Sequence, residues 1–227
     1  MKANFKVRFV FIGLFLAGVV RVGAEPVEPL GYLRFVNGIA AGSGMVSVRV
    51  DGKDLYPNGY RFGAVTGGIG LAPASHQVEV RRDGVKSGRA EVTVKKGHAA
   101  TVIAFAEELA TEEGKPVQFR AQLMTVTPRV VKEGKVATFV SVSRAPLLRV
   151  DVRQPDGKWR AVELPRLATA EIPISLDRGY VALKSAGKAL EAIPVADSGN
   201  YVVVLFDDAQ GVLHAVNFRD SGEIAGD

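Results

Sequence analysis

The chain has 227 residues, with 29 Lys and Arg, 24 Asp and Glu, and a formal net charge of +5. It contains no Cys, which excludes disulfides, thiol catalysis and thiolate zinc sites. A hydrophobic content of 47% excludes a generally disordered chain. The net positive charge is compatible with nucleic-acid binding. Where the basic residues lie along the chain decides whether that interpretation is supported.

Residues 1–24 have the pattern of a secretory signal. Three basic residues come first, an unbroken run of apolar residues and glycine follows from Phe9 to Val20, and Val22 and Ala24 supply small residues for cleavage after Ala24. The apolar run is shorter than the ~20 residues that span a bilayer. The sequence therefore predicts a cleaved signal peptide, no transmembrane span after cleavage, and a periplasmic, secreted or cell-surface location. An uncleaved anchor is the alternative.

The export segment also explains most of the positive charge. It contains four basic residues and no acid, so residues 25–227 carry 25 basic against 24 acidic residues. The exported part is nearly neutral, which argues against a nucleic-acid partner.

The remainder of the chain alternates apolar and polar residues at period two, the pattern of half-buried strands. Two runs, Thr101–Phe105 and Tyr201–Phe206, are continuously apolar and predict central strands covered on both faces. Asp-Gly pairs between the runs predict tight turns. One short helix is expected near Ala106–Glu113, where Ala, Leu and Glu concentrate; a polar loop is the alternative there.

The order of strands and turns occurs twice. Each copy has an opening strand, an Asp-Gly-Lys turn, and a closing glycine followed by an apolar strand and acids. We therefore predict an all-β chain with two tandem antiparallel β-sandwich domains of the Ig-like or transthyretin-like kind. The predicted domains span residues 30–127 and 128–220, followed by a C-terminal tail at 221–227.

No motif predicts catalysis, a cofactor or a metal. The three histidines, His76, His98 and His214, have no metal-binding spacing and are expected to be solvated. No G-x-S-x-G sequence occurs, and the glycine-rich Gly63–Gly70 lacks the Lys-Ser/Thr of a phosphate-binding loop, so a loop or bulged strand is expected. The acids at Asp207-Asp208 lack a calcium-loop order and are expected to be solvated. The sequence favours a protein that is not an enzyme.

Aromatic residues give the candidate surface site. Tyr56 and Tyr60 lie in a loop-like segment, and Trp159, the single Trp, follows a turn. Exposed rings on β-sandwiches can stack on sugars or anchor a protein partner. The alternative for Trp159 is a place in the core, which is the interpretation favoured for Phe62.

Short patterns in the chain resemble the AlgF family, periplasmic accessory proteins of bacterial alginate O-acetylation. Residues 32–37 (YLRFVN) are similar to that family's opening strand. The second half carries, in the family's order, Phe139–Val142, Asp156–Lys158, Val181–Leu183 and Ile193–Ala196. The stretch Val46–Lys53 also resembles uncharacterised bacterial cell-surface sandwich domains.

The AlgF resemblance implies a non-catalytic exported adaptor that assists O-acetylation of an exopolysaccharide, alginate-like or cellulose-like. Its partners would be periplasmic or membrane acetyltransferase proteins, the polymer, or both. The alternative is a carbohydrate-binding or cell-surface adhesive module built on Tyr56, Tyr60 and Trp159. A third hypothesis, an esterase, has no support from the sequence.

Overall fold

A computed structural model describes residues 30–110, 114–127 and 129–220. Within these ranges the chain forms sixteen strands and no helix, which confirms the all-β prediction. The first eight strands are β1 (Gly31–Gly38), β2 (Ser43–Val50), β3 (Lys53–Asp54), β4 (Ile69–Leu71), β5 (Ser75–Asp83), β6 (Val85–Thr93), β7 (Ala99–Leu109) and β8 (Gln118–Val126). The second eight are β9 (Lys135–Ser141), β10 (Leu147–Arg153), β11 (Trp159–Pro165), β12 (Thr169–Pro173), β13 (Gly179–Ser185), β14 (Lys188–Val195), β15 (Gly199–Asp207) and β16 (Leu213–Asp220).

The two halves repeat one strand order. The first half runs β3-β2-β5-β6-β8-β7-β1-β4 in one sheet. The second half has the corresponding order in two sheets, β11-β10-β13-β14 and β12-β9-β15-β16. The first half forms a single sheet because β6 pairs briefly with β8 at Val85 and Lys86.

Each half contains a central parallel pair, β1 with β7 and β9 with β15, within otherwise largely antiparallel sheets. These strands carry the apolar runs noted in the sequence. Val102 faces the core of the first half, while its neighbour Ile103 faces away from it. In the same way Val203 faces the core of the second half, and Val204 faces away from that core.

The outward-facing residues of both pairs meet in a third apolar layer. Its buried members come from both halves: Val36, Ile103, Phe105, Val126, Val140, Val142, Val202, Val204 and Phe206. The molecule is therefore four β-layers deep, and the two layers of the first half are joined into one sheet where β6 pairs with β8. The inner sheets face each other across this junction, and β3-β2-β5-β6 and β11-β10-β13-β14 lie on the outside.

Two ion pairs also cross the junction. Arg166 donates to Glu107 at 2.8 Å. Arg34 and Asp220, both almost fully buried, lie 3.9 Å apart, and the Arg34 guanidinium lies over the Phe218 ring at 4.4 Å. Burial lowers the pKa of Arg34 below its ordinary value, an effect that Asp220 partly opposes.

The expected helix near Ala106–Glu113 is wrong over its described part, and so is the polar-loop alternative. Strand β7 continues to Leu109, because Glu107, Glu108 and Leu109 pair with β8 in antiparallel register. Cross-strand pairing overrides the helix preference of these residues. Gly63–Gly70 does run as an irregular edge beside β1, with Val65 bridged to Val36, as expected of a bulged strand.

Several predictions concern residues outside the described ranges. These are the signal peptide at 1–24, its cleavage after Ala24, and the tail at 221–227. In the part of the chain that the structure describes, no helix is long and apolar enough to cross a membrane.

Candidate functional site

Trp159 opens strand β11 at the edge of the outer sheet of the second half. Its side chain is 38% exposed, and its register partner is Arg153 on β10. Inward positions of β11, such as Val162 and Leu164, enter the core, whereas Trp159 lies on the opposite, solvent-facing side. The core alternative for Trp159 is therefore wrong.

Two cations flank the Trp159 ring. The Lys184 ammonium lies 4.2 Å from the ring centroid and the Arg153 guanidinium carbon lies 5.2 Å from it. Lys184 comes from β13, and its register partner on β10 is Asp151. Both cations therefore come from strands on the same side of the edge strand β11, in the order β11-β10-β13.

A groove extends from Arg153 to a second exposed ring. It encloses about 70 Å³ and is lined mainly by apolar residues of β10, β12 and β13, such as Val152, Ile172 and Val181, together with Arg153 and Tyr180. Tyr180 is 75% exposed, far more than a side chain that serves only packing requires. Trp159, Arg153, Lys184 and Tyr180 together are called here the Trp159 patch.

The two tyrosines of the predicted site lie elsewhere. Tyr56 is exposed, but Tyr60 packs between Tyr56 and Phe35, with ring centroids 5.8 and 5.3 Å away. The backbone of Tyr60 exchanges hydrogen bonds with Val46 of β2, and burial raises the pKa of its hydroxyl. Tyr60 is part of the edge of the first core.

The structure does not bring Tyr56 and Tyr60 together with Trp159. The tyrosines lie by the outer sheet of the first half and Trp159 lies on the outer sheet of the second, so both inner sheets stand between them. Sequence analysis found Trp159 but missed Arg153, Lys184 and Tyr180. Period-two alternation could have assigned these residues to the outer face, but only the strand register places the cations at Trp159.

The junction between the halves forms a second concavity, of about 260 Å³. Its polar lining includes Arg144, Asp207 and Asp208. Asp207 accepts from the Ser143 hydroxyl at 2.8 Å and from the Arg144 amide at 2.6 Å. The expectation of solvated acids is thus wrong for this pair, because the carboxylates fasten the turns after β9 and β15.

The Asp208 carboxylate is also hydrogen-bonded within the protein. It accepts from the amides of Gln210 and Val212 and contacts His214 Nε2 at 2.9 Å. These bonds hold its pKa below the ordinary value, the bond from His214 having the largest effect. The carboxylates of this concavity therefore serve to fix the turn. Among the described residues, no group of three or more His, Asp or Glu is arranged to hold a metal ion.

The expectation that the histidines are solvated is wrong for His76. Its side chain is buried, with Nδ1 2.7 Å from Asp51 Oδ2 and Nε2 2.8 Å from the Ala72 carbonyl oxygen. The hydrogen bond to Asp51 is the main cause of a raised His76 pKa and a lowered Asp51 pKa. His214 is half-buried, with its ring near Phe62 and Phe206.

Comparison with known proteins gives no family for the chain. No family model matches it, and neither does any curated protein. Among solved structures, the Bacillus anthracis TIE protein is 12% identical with a TM-score of 0.25, over 83% of this chain and 34% of that one. This chain thus corresponds to about a third of the TIE chain.

A carbohydrate-binding module of family CBM26, from Eubacterium rectale Amy13K in complex with maltoheptaose, is 10% identical with a TM-score of 0.24. That match covers 86% of this chain and 98% of the module. Neither similarity carries an argument about a site or a ligand at such TM-scores. The resemblance to the AlgF family stays a prediction.

Proposed function

We propose that this chain is a non-catalytic exported protein that binds a secreted carbohydrate polymer through the Trp159 patch. The observation that carries this proposal is an exposed indole on the outer face of a sheet, flanked by Lys184 and Arg153. The apolar face of a sugar ring can lie against an indole, while its hydroxyls bond to neighbouring polar groups. Tyr180, exposed on β13 two strands from Trp159, supplies a second ring for a polymer that extends across the sheet.

The rigidity of the support favours such a site. Trp159 is paired in register with Arg153, and both strands insert alternate residues into the second core. Sites on packed strands hold their geometry better than sites on loops. Little ordering entropy is then lost when a ligand binds, apart from that of the two cationic side chains.

The test is a binding assay with a broad panel of soluble polysaccharides. Trp159 is the single Trp of the chain, so a change in its fluorescence on titration reports directly on the patch. Affinity electrophoresis then compares variants that lack this signal. We expect Trp159→Ala to weaken binding at least tenfold, equivalent to about 1.4 kcal/mol, and Trp159→Phe to retain part of it.

Tyr56→Ala is the matched control, because it removes an exposed ring from the other half. It should leave binding unchanged. Absence of binding to every polymer of the panel would contradict the proposal, as would an equal loss in the Trp159 and Tyr56 variants.

A second candidate function is the adaptor in exopolysaccharide O-acetylation. The observation that favours it is the apolar junction between the halves, which fixes two related outer sheets back to back. A protein of this shape can hold two partners on opposite sides. Pull-down from a periplasmic extract should then recover an acetyltransferase, and deletion of the gene should lower acetylation of the polymer. Unchanged acetylation with no specific partner would exclude this role.

The hydrogen bonding of His76 supports a non-catalytic function. Both ring nitrogens of His76 are taken up, by Asp51 and by the Ala72 carbonyl, and no nucleophile shares them. Turnover of acetyl-ester substrates that disappears on substitution of a histidine would overturn this part of the proposal.

A further inference from the structure

We propose that the polymer bound at the Trp159 patch is acidic, with carboxylate, sulfate or phosphate groups on its sugars. This inference rests on the proposed carbohydrate-binding function and specifies its ligand class. It is carried by two cations that meet at one exposed ring and have no carboxylate partner in the described structure.

Several other exposed cations on the outer sheets are paired with nearby acids. On the first half, Glu79 accepts from Arg81 at 2.8 Å and from Arg89 at 2.8 Å. On the second half, Arg149 lies 3.6 Å from Asp151. These groups form paired, solvated charges of the kind that contributes little to stability or binding.

Arg153 and Lys184 differ from those residues. No carboxylate of the described residues lies within the 4.0 Å of an ion pair from either cation. The nearest acid by register, Asp151, is engaged by Arg149. Glu163 on β11 is also a register neighbour of Arg149. The positive charge at Trp159 is therefore available to an anion from outside.

The position of the two cations over the ring suits a ligand that is both a ring and an anion. A cation over an exposed aromatic ring is only weakly held, because water screens the attraction. A sugar that stacks on Trp159 can therefore displace the Lys184 ammonium at small cost, since its alkyl stem has four rotatable bonds. The displaced ammonium stays on the same sheet face, where it can meet an acidic group of the same sugar or the next one.

The second ring extends the contact to a polymer. Tyr180 lies on β13, two strands from Trp159, so the strand spacing puts it roughly 10 Å away across the sheet. Arg153 lies between them, over the Trp159 ring on one side and in the groove with Tyr180 on the other. A chain of several acidic sugars can contact both rings with the guanidinium between them.

The experiment compares polygalacturonate with its fully methyl-esterified form, which keeps the sugar and removes the charge. Binding to the full protein is measured at about 20 mM and about 500 mM NaCl, since salt screens exposed charges. We expect at least tenfold tighter binding of polygalacturonate at low salt. This preference should fall at high salt and disappear in the double variant Arg153→Gln, Lys184→Gln.

The matched control is the double variant Lys86→Gln, Lys96→Gln, which removes two exposed cations from the first half. It should retain the preference. If both double variants lost the preference for polygalacturonate equally, net charge alone would explain that preference, and the inference would be overturned. Polyglutamate provides a further arm: binding as tight as that of polygalacturonate and unaffected by Trp159→Phe would assign the patch to an acidic protein instead.

Failure of this inference is distinguishable from failure of the proposed function. Equal binding of the charged and the esterified polymer, lost in Trp159→Ala, would overturn the acidic ligand and leave carbohydrate binding intact. Absence of binding to both polymers and to every neutral polysaccharide would overturn both.

Discussion

Phe62 of the first half meets Phe206 of the second half edge to face, with ring centroids 5.1 Å apart and planes inclined at 83°. The ring of His214 lies against the same Phe62, at 5.6 Å. Aromatic pairs in this arrangement contribute roughly 0.5–1.5 kcal/mol beyond the area that they bury. The junction between the two copies is thus part of the folded core, and its loss should lower the stability of the whole chain.

Phe62→Ala tests this coupling. Phe62 is half-buried, so truncation should lower the free energy of unfolding by about 2–3 kcal/mol, somewhat less than for a fully buried Phe. Urea denaturation followed by circular dichroism and by Trp159 fluorescence measures the change. Met45→Ala is the control, because Met45 is 53% exposed and lies outside the junction; its cost should stay below about 0.5 kcal/mol. Similar losses in the two variants would contradict a role of the junction in stability.

Arg34 and Asp220 provide a second test of the junction. The Arg34 Nη1 atom is buried without a hydrogen-bond partner, and Asp220 is the carboxylate 3.9 Å from it. Asp220→Asn leaves a buried guanidinium without its counter-charge and should cost about 3 kcal/mol. Adding Arg34→Met to this variant should restore part of the loss, since the buried charge is then removed together with its partner. Thermal and urea unfolding of the two single variants and the double variant measure the cycle. A double variant less stable than Asp220→Asn alone would contradict this account.

Much of the fold could be predicted from the sequence, because strand alternation and turn residues are local signals. The turns at Gly52, Gly84 and Gly157 have the positive φ that the Asp-Gly pairs predicted. The apolar runs also predicted central strands with two covered faces. What covers the second face of Ile103 and Val204 is the other copy, and no local pattern identifies that partner.

The candidate site was less predictable for the same reason. Trp159 could be chosen as a single exposed aromatic residue after a turn. Strand register determines which cations lie beside the Trp159 ring. Arg153 is six residues away along the chain, and Lys184 comes from β13. His76 was expected in solvent because its partner Asp51 lies 25 residues earlier and reaches it only across the β2–β5 pairing.

The His76–Asp51 pair predicts a pH dependence of stability. The folded-state pKa of His76 is raised above its unfolded value, chiefly by Asp51. Its contribution is therefore complete below the unfolded pKa of about 6.5 and is lost as the pH rises through the folded value. The lowered Asp51 pKa adds a contribution that is lost in acid, as the pH falls through its folded value.

The measurement is the melting temperature of the protein and of His76→Gln between pH 5 and pH 9. The difference between the two should be largest near pH 5–6 and should shrink toward pH 9. Asp51→Asn, which removes the partner of the imidazolium, should show the same flattened profile above pH 5. A difference that grows with pH would reverse the sign of this linkage and refute the interpretation of the pair.

The short pairing of β6 with β8, which joins the first half into one sheet, can be tested by adding a single methyl group at Gly88. A Cβ atom at Gly88 would lie 2.3 Å from the Ala121 carbonyl oxygen, which belongs to the backbone of the neighbouring strand. The two strands must separate to admit it, so we expect Gly88→Ala to cost about 1–3 kcal/mol by overpacking. Gly67→Ala is the matched control, since its Cβ would meet no atom within 4 Å and should change stability by less than about 0.5 kcal/mol. Denaturation midpoints of the two variants give the comparison. Equal midpoints would show that the strands separate freely, and the close backbone approach at Gly88 would then have no part in holding the first sheet together.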